Sequence, residues 1–367
     1  VVGYYWWQQS PDNWLPILVS LLVVTCPCAL SLATPTAISA ATGTMLGHGL
    51  LTVRNHSLET LAQCTHIVFD KTGTLTFGTP AVSHIQCLSH LDERTVLATA
   101  AALEQQSEHP VGKAIVSAAS GGRVFSATDT RNHPGAGISA CIDNTQWYIG
   151  HADFITEHTG ADCDGLRYSP EGGSQVILAD SRQVNARFLL NDTLRQEAAA
   201  VIKKLQDMGK QVILLSGDTP AAAQQLAAVT GIEDIRGGMT PADKLQQVQA
   251  LQQQGAVVVM IGDGINDAPV LAAADVSVVM REAAHISQAS ADMVLLSSNL
   301  GALTNGLLLA RKTLRVIKQN LAWAAGYNLV ALPAAALGFV APWMAAIGMS
   351  SSSLLVVLNA LRLTRNK

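Results

Sequence analysis

Asp70 closes the apolar run "HIVFD" and opens "KTGTLT", so a carboxylate stands at the end of a β-prone segment against a glycine turn. Two other runs end the same way. "QVILLSGD" (211–218) delivers Ser216 and Asp218, and "AVVVMIGDGIND" (256–267) delivers Asp263 and Asp267. In open α/β sheets reactive groups gather at the carboxyl ends of the strands. A carboxylate placed there, beside backbone N–H groups, can attack phosphorus. The transferred phosphoryl group carries dense negative charge, which cations must neutralise. Mg2+ takes oxygen ligands, and Asp70 with Asp263 can supply them. Lys71 and Lys244 offer fixed positive charge, and Thr72 and Ser216 offer hydroxyl donors.

The elements that must carry these groups are legible around them. Amphipathic helical stretches such as "LRQEAAAVIKKLQDMG" (194–209) and "ADKLQQVQALQQQG" (242–255) separate the apolar runs. This strand–helix rhythm predicts a parallel sheet covered on both faces. Residues 79–187 have another texture, with "GGR", "HPGAG", "IDNTQWYIG" and "SPEGGS" between short alternating strands. They read as a second, α+β domain inserted into the first.

The 367 residues are 49% hydrophobic and 14% charged, below the roughly 25% charge of an average soluble domain. All charged residues except Asp12, Arg362, Arg365 and Lys367 lie between Arg54 and Lys318, so the ends are apolar and the middle is soluble. A net charge of −4 gives no support to nucleic-acid binding. The opening "VVGYYWW" does not read as a signal peptide, and the chain reads as a piece of a longer protein. Three membrane spans are expected: 14–46, tilted or broken, and a hairpin of 319–338 and 342–361 interrupted by "GFVAP". Arg311, Lys312, Arg315 and Lys318 precede the hairpin, and Arg362, Arg365 and Lys367 follow it. Basic flanks mark the cytoplasmic side, and Tyr4, Tyr5, Trp6, Trp7, Trp14 and Trp343 then fall at the outer interface.

Of six cysteines only Cys26 and Cys28 have motif-like spacing, in "TCPCALS". On an intact helix residues two apart point about 200° away from each other. Pro27 removes a backbone N–H and obstructs the preceding turn, which opens the helix. Broken backbone at membrane depth is tolerated where it lines a site buried in protein, and two thiolates there suit a soft cation.

"DKTGTLT" joined at long range by "SGD", "PADK" and "GDGINDAP" resembles the heavy-metal-transporting branch of the P-type ATPases. That resemblance implies a haloacid-dehalogenase-like parallel α/β phosphorylation domain, an inserted α+β nucleotide-binding domain and three transmembrane helices. The parts would be a transmembrane segment (1–50), phosphorylation domain (51–78 and 188–300), nucleotide-binding domain (79–187), and linker helix with hairpin (301–367). It implies Asp70 as the phosphorylated residue and Asp263 and Asp267, with Asp70 and Thr72, as the Mg2+ corner. Thr72, Asp192, Ser216, Lys244 and Asn266 match phosphate- or hinge-associated positions, with Ser216 standing where the family usually has Thr. In the inserted domain Glu104, His109, Gly135, Gly137 and Gly150 match nucleotide contacts, while His151 stands where the family commonly has Asn.

Copper pumps of the family carry Tyr-Asn and Met-x-x-Ser-Ser on the hairpin, matched here by Tyr327, Asn328, Met349 and Ser353. Zinc, cadmium and lead pumps place a Lys and an Asp there, and residues 319–361 contain neither. The implied reading is ATP-driven export of Cu+, or Ag+ as its mimic, through an aspartyl phosphate, with ATP and Mg2+ as cofactors. Implied partners are membrane lipid, a copper-donating chaperone protein and the missing N-terminal part of the same pump, with its actuator domain. The implied location is the cell (inner) membrane, with cytoplasmic catalytic domains. A Zn2+ or Cd2+ pump, and a membrane-anchored phosphatase that moves no ion, are the alternatives.

Overall fold

Alternating apolar residues in the 79–187 stretch dictate a sheet with two buried faces, and the structure contains one. The computed structural model describes residues 2–9, 12–120, 125–166, 174–218, 220–264, 267–281, 288, 290–297 and 299–365. The chain forms two units, one built from Val1–His66, Leu251–Met260 and Leu271–Lys367, the other from Ile67–Ala250 and Ile261–Val270.

In the second unit an antiparallel six-stranded sheet runs in the order Thr76–Cys87, Val184–Leu194, Ser174–Asp180, Thr145–Gly150, Gly137–Ile142, Thr128–His133. The first two strands pair from Thr76↔Leu194 to Cys87↔Ala186, so they carry the chain out to this lobe and back as one ribbon. Along Ser174–Asp180, Val176 and Leu178 face one cluster while Ile177 and Ala179 face another, the period of two that a strand imposes. The first cluster packs under the helices Glu93–Glu104 and Pro110–Ala118 and contains Val96, Ala100 and Leu103, spaced as one helical face requires. The second packs under the helix Ala152–Thr159 through Phe154 and Ile155. This unit also holds Gln211–Leu215, paired in parallel with Asp234–Arg236.

In the first unit the expected opening of the first span is present. The helix Trp14–Val24 stops, Thr25 to Pro27 interrupt it, and a second helix runs Cys28–Gly47. Ala29, Ala33, Ala37, Ala41 and Met45 recur every four residues on the buried side of that second helix. Such small residues let neighbouring backbones approach closely. Ala29 and Ala33 pack with Ala324 and Val356 from the helices Gly301–Ala336 and Pro342–Leu361. The chain then enters the strand Leu50–Thr52, antiparallel to Met293–Leu295, which is parallel to Val276–Met280.

Hydropathy separates the three expected spans. Among the described residues two stretches are long and apolar enough to cross a bilayer, Trp14–Gly47 and Pro342–Leu361. The expected 319–338 span is instead the second half of a continuous 36-residue helix, Gly301–Ala336. Gln319, Asn320, Tyr327 and Asn328 make this half less apolar than its neighbours. The turn that follows uses Gly338 at φ +81°, and Pro342 starts the next helix, where its missing N–H costs nothing.

Phe188 is fully buried in the larger cluster of the inserted lobe. Phe188→Ala should destabilise that lobe by about 3–5 kcal/mol. Amide exchange read by mass spectrometry should then accelerate across Val184–Leu194 and Gly137–Ile142, and unchanged protection would contradict the packing described.

Candidate functional site

The strand His66–Asp70 buries Ile67, Val68 and Phe69 and so fixes where Asp70 emerges. Asp70 is only 6% exposed. Lys244 reaches it from the helix Pro241–Gln253, whose start is locked by Thr240 and Asp243. The Asp243 carboxylate accepts from the Thr240 N–H (2.9 Å) and hydroxyl (2.6 Å), and the Thr240 hydroxyl accepts from the Asp243 N–H (3.2 Å). Lys244 Nζ donates to Asp70 Oδ1 (2.6 Å) and to Asp267 Oδ2 (2.7 Å). Burial, joined by the charge of Asp267, raises the Asp70 carboxyl from 3.8 to about 7, against the opposing pull of Lys244. Burial opposes the charge on Lys244, but the two carboxylates outweigh it and its pKa rises.

The loop after Asp70 turns through Gly73 at φ +69°, and a Cβ there would lie 3.1 Å from Asp263 Cβ. Glycine therefore lets the loop lie against Asp263. Arg195, 2% exposed, donates from Nε to the Thr74 carbonyl (2.9 Å), while its backbone N–H donates to Leu75 (2.9 Å). Lys71 pairs with Asp218, and the Ser216 hydroxyl accepts from the Asp218 N–H at 3.1 Å. The Thr76 hydroxyl bonds Asp192, whose carboxyl is raised by burial against the pull of that bond and of Lys71. Thr72 is exposed on this loop.

Asp70, Lys71, Ser216, Asp218, Lys244, Asp263 and Asp267 therefore lie at one end of the second unit. Asp192 joins this centre rather than the nucleotide-sized cavity described below. Asn266 lies outside the described residues. Arg195 belongs to no spacing pattern in the sequence, and Thr76, which closes "DKTGTLT", had been given no role of its own. The Thr240–Asp243 cap is a signal that was available in "TPAD".

Asp267 Oδ1 is buried without a hydrogen-bond partner among the described residues. Asp70 and Asp267 meet one ammonium here and Asp263 lies against the Gly73 turn of the same loop, an oxygen-rich and negative set that fits Mg2+.

A cavity of about 880 Å³ opens in the inserted lobe, within the usual size range for ligand pockets. Glu104, His109, Gly135, Gly137 and Gly150, from four separate segments, all line it, as does His151. Glu104 is buried, which raises its carboxyl, against a hydrogen bond from Ser107 and the charge of His109. His109 caps the helix Pro110–Ala118, its Nδ1 accepting from the Val111 N–H at 3.3 Å. At Gly137 and Gly150 a Cβ would overlap the carbonyls of Ile149 and Ala136 respectively, so these glycines bring two strands together under the cavity. Gly112 was missed by sequence reading: a Cβ there would collide with the Glu104 carboxylate and lie 2.6 Å from Ser107 Oγ.

In the first unit a second cavity, of about 10 Å³, is lined by Cys26, Pro27, Tyr327, Asn328, Met349 and Ser352, with Ala29 and Leu30. Cys26 and Cys28 are paired as a disulfide, so the opened helix does bring the two sulfurs together. The reduced pair is the form able to bind a metal. Ser352, not Ser353, faces the cavity; it is three residues after Met349 on the same helix and accepts from Trp323 Nε1 at 3.1 Å.

Residues 64–275 match the haloacid dehalogenase-like hydrolases. The chain is 36% identical over 363 residues to a copper-exporting P-type ATPase of Staphylococcus haemolyticus (strain JCSC1435), covering 97% of this chain and 45% of that protein. It is 37% identical over 367 residues to the protein of the same name from Staphylococcus aureus (strain MRSA252), with the same coverage of 97% and 45%. The chain thus spans less than half the length of these curated relatives. Among solved structures, a zinc-transporting PIB-type ATPase in the E2.Pi state matches with TM-score 0.84 and 34% identity, over 96% of this chain and 58% of that one. The catalytic domain of the CPx-ATPase CopB-B matches with TM-score 0.59 and 30% identity, over 72% of this chain and 98% of that one.

Lys244→Ala strands two buried carboxylates, and removing one partner of a buried ion pair costs about 3–5 kcal/mol. Because the folded pKa of Asp70 is about 7 against an ordinary 3.8, this group favours folding fully below pH 3.8 and loses that contribution as pH rises through 7. The stability deficit of Lys244→Ala, read from urea unfolding, should therefore be larger at pH 8 than at pH 5; a pH-independent deficit contradicts the assignment.

Proposed function

This chain belongs to the P-type ATPases, with a haloacid dehalogenase-like hydrolase region as its catalytic part, and from that premise we propose that it forms part of an ATP-driven Cu+ export pump. The observation that carries the catalytic half is the buried Asp70–Lys244–Asp267 constellation at a strand end. Asp70 is the nucleophile: a carboxylate oxygen forms a bond to the γ-phosphorus of ATP as the bond from that phosphorus to the β-phosphate bridging oxygen breaks, and ADP leaves with the electron pair. Lys244 holds the reacting carboxylate in place and offsets charge on the transferred group. Lys71, Ser216 and the backbone turned by Gly73 line the approach. Asp70, Asp263 and Asp267 would hold Mg2+, which would offset phosphate charge and favour the ionised form of Asp70. The cavity of the inserted lobe takes the nucleotide, with Glu104 and His109 on one wall and the glycines on the other.

The cargo reading rests on the donor set around the small membrane cavity. Cys26 and Met349 line it, Cys28 lies sulfur-to-sulfur with Cys26, so the reduced site offers three sulfurs, and Tyr327 and Asn328 add neutral oxygens. Residues 319–361 carry no charged side chain, so two thiolates balance a monovalent soft ion without further partners. The likeness to a zinc-transporting structure favours a second reading, a Zn2+ pump, but a divalent ion in this donor set lacks the acidic group expected of one. The two long apolar stretches and the membrane relatives support a membrane location. We take that to be the cell (inner) membrane, with the catalytic unit cytoplasmic and a copper-donating chaperone as the source of the ion.

Incubation with γ-labelled ATP and Mg2+ should give an acid-stable, hydroxylamine-labile label on the chain, abolished in Asp70→Asn; label persisting in that variant rules out Asp70 as nucleophile. Under reducing conditions the chain should bind one Cu+ that is lost in Cys26→Ser and Cys28→Ser but kept in Cys141→Ser. Equal retention of Zn2+ and Cu+ would instead favour the zinc reading.

A further inference from the structure

One wall of the nucleotide-sized cavity is built from rings that no motif assigns. His133 lines the cavity and is half-buried. Its ring centroid lies 5.0 Å from that of Phe154 and 5.2 Å from that of His158. Phe154 and His158 pack on each other at 4.4 Å, and Tyr148 closes the group at 5.4 Å from His158. These separations lie in or close to the range where aromatic pairs attract. The ring is also held by a polar bond, since His133 Nε2 lies 3.1 Å from the hydroxyl of Ser139, itself 4% exposed. Across the strand pair His133 stands opposite Gly137, where a Cβ would strike the Phe154 ring. The glycine is therefore what allows the rings to close up behind His133.

The cavity is chemically lopsided. Glu104, Glu108 and Asp153 put carboxyl groups into its lining, which repel a triphosphate but can accept from an exocyclic amine. Ile138, Ile149, Val176 and Ile177 give the lining an apolar part, as a heterocycle requires, beside the polar Asn132, Ser174 and Gln175. We propose that His133 is a nucleotide-positioning residue: the face of its imidazole, backed by Phe154 and His158 and tethered by Ser139, stacks on the base and favours purine over pyrimidine nucleotides. This rests on reading the cavity as the nucleotide site. Stacking supplies affinity in proportion to ring overlap, and a purine presents two fused rings where a pyrimidine presents one.

The test is calorimetric binding of ATP, CTP and inorganic tripolyphosphate to the full chain in detergent, for the parent, His133→Ala and His133→Phe. Loss of one base–aromatic stack corresponds to about a tenfold weaker ATP affinity in His133→Ala. The loss for CTP should be smaller, and tripolyphosphate binding should not change. His133→Phe keeps the ring without the imidazole nitrogens and should restore ATP affinity to about that of the parent. Parent-like ATP binding by His133→Ala, an equal loss for all three ligands, or a His133→Phe variant as weak as His133→Ala each overturn the stack while leaving the cavity assignment intact. If the parent itself binds neither nucleotide, the cavity assignment fails and the stack with it.

Discussion

A lysine ammonium gripped by two buried carboxylates is the interaction on which the catalytic unit depends. At separations below 3 Å such attractions are worth several kcal/mol even at an effective dielectric of about 20. The desolvation cost of three buried charges is of the same order, so the cluster is not there for stability. Its effect is to keep a carboxylate where water has little access, with its pKa raised to about 7 rather than 3.8. A carboxylate so poorly compensated by one lysine favours any additional cation. The orphaned Asp267 oxygen shows where compensation is still lacking.

Everything around that cluster holds the loop after Asp70 in one shape. Gly73 supplies the left-handed turn, Arg195 ties down the Thr74 carbonyl, and the Thr76 hydroxyl bridges to Asp192. Asp192 and Arg195 flank the end of the strand Val184–Leu194, whose pairing with Thr76–Cys87 forms the ribbon leading to the inserted lobe. The same backbone pair therefore both positions the loop after Asp70 and carries the inserted sheet. A buried arginine so committed to carbonyls acts on the chemistry only through the loop it shapes.

Much of this was legible in the residues, for definite reasons. Strand-end acids are readable because a buried parallel strand leaves a continuous apolar run and stops at a polar group. Glu104 and the three cavity glycines come from three separate stretches, and a known pattern was needed to join them; the structure brings all of them around one cavity. What escaped was set by tertiary distance. Arg195 meets Thr74 across 121 residues, and no local period encodes that. Gly112 matters only because Glu104 folds back over it, and His133 only because Phe154 and His158 stand behind it. Ser352 rather than Ser353 faces the membrane cavity because three residues from Met349 is nearly one helical turn. The boundary at residue 319 dissolved because a helix does not end where charge ends; backbone hydrogen bonding continues from Gly301 through Ala336 regardless.

The membrane-spanning unit follows a different chemistry from the catalytic one, sulfur in place of oxygen and neutrality in place of charge, yet its sulfurs are not isolated from the soluble part of the same unit. Cys28 begins a helix that continues unbroken to Gly47, with alanines every fourth residue seating it against its neighbours. Gly49, at φ +84°, then turns the chain directly into Leu50–Thr52, and the Gly49 carbonyl accepts from the N–H of Leu296 at 2.8 Å. Asp292, at the far end of that strand pair, accepts from Ser277 and takes the backbone N–H groups of Val53 and Arg54 on its carbonyl. Only two residues separate that helix from an edge strand whose two ends are both hydrogen-bonded to the chain around Met293–Leu295, so the cysteine-bearing helix and the strand pair are joined with little slack.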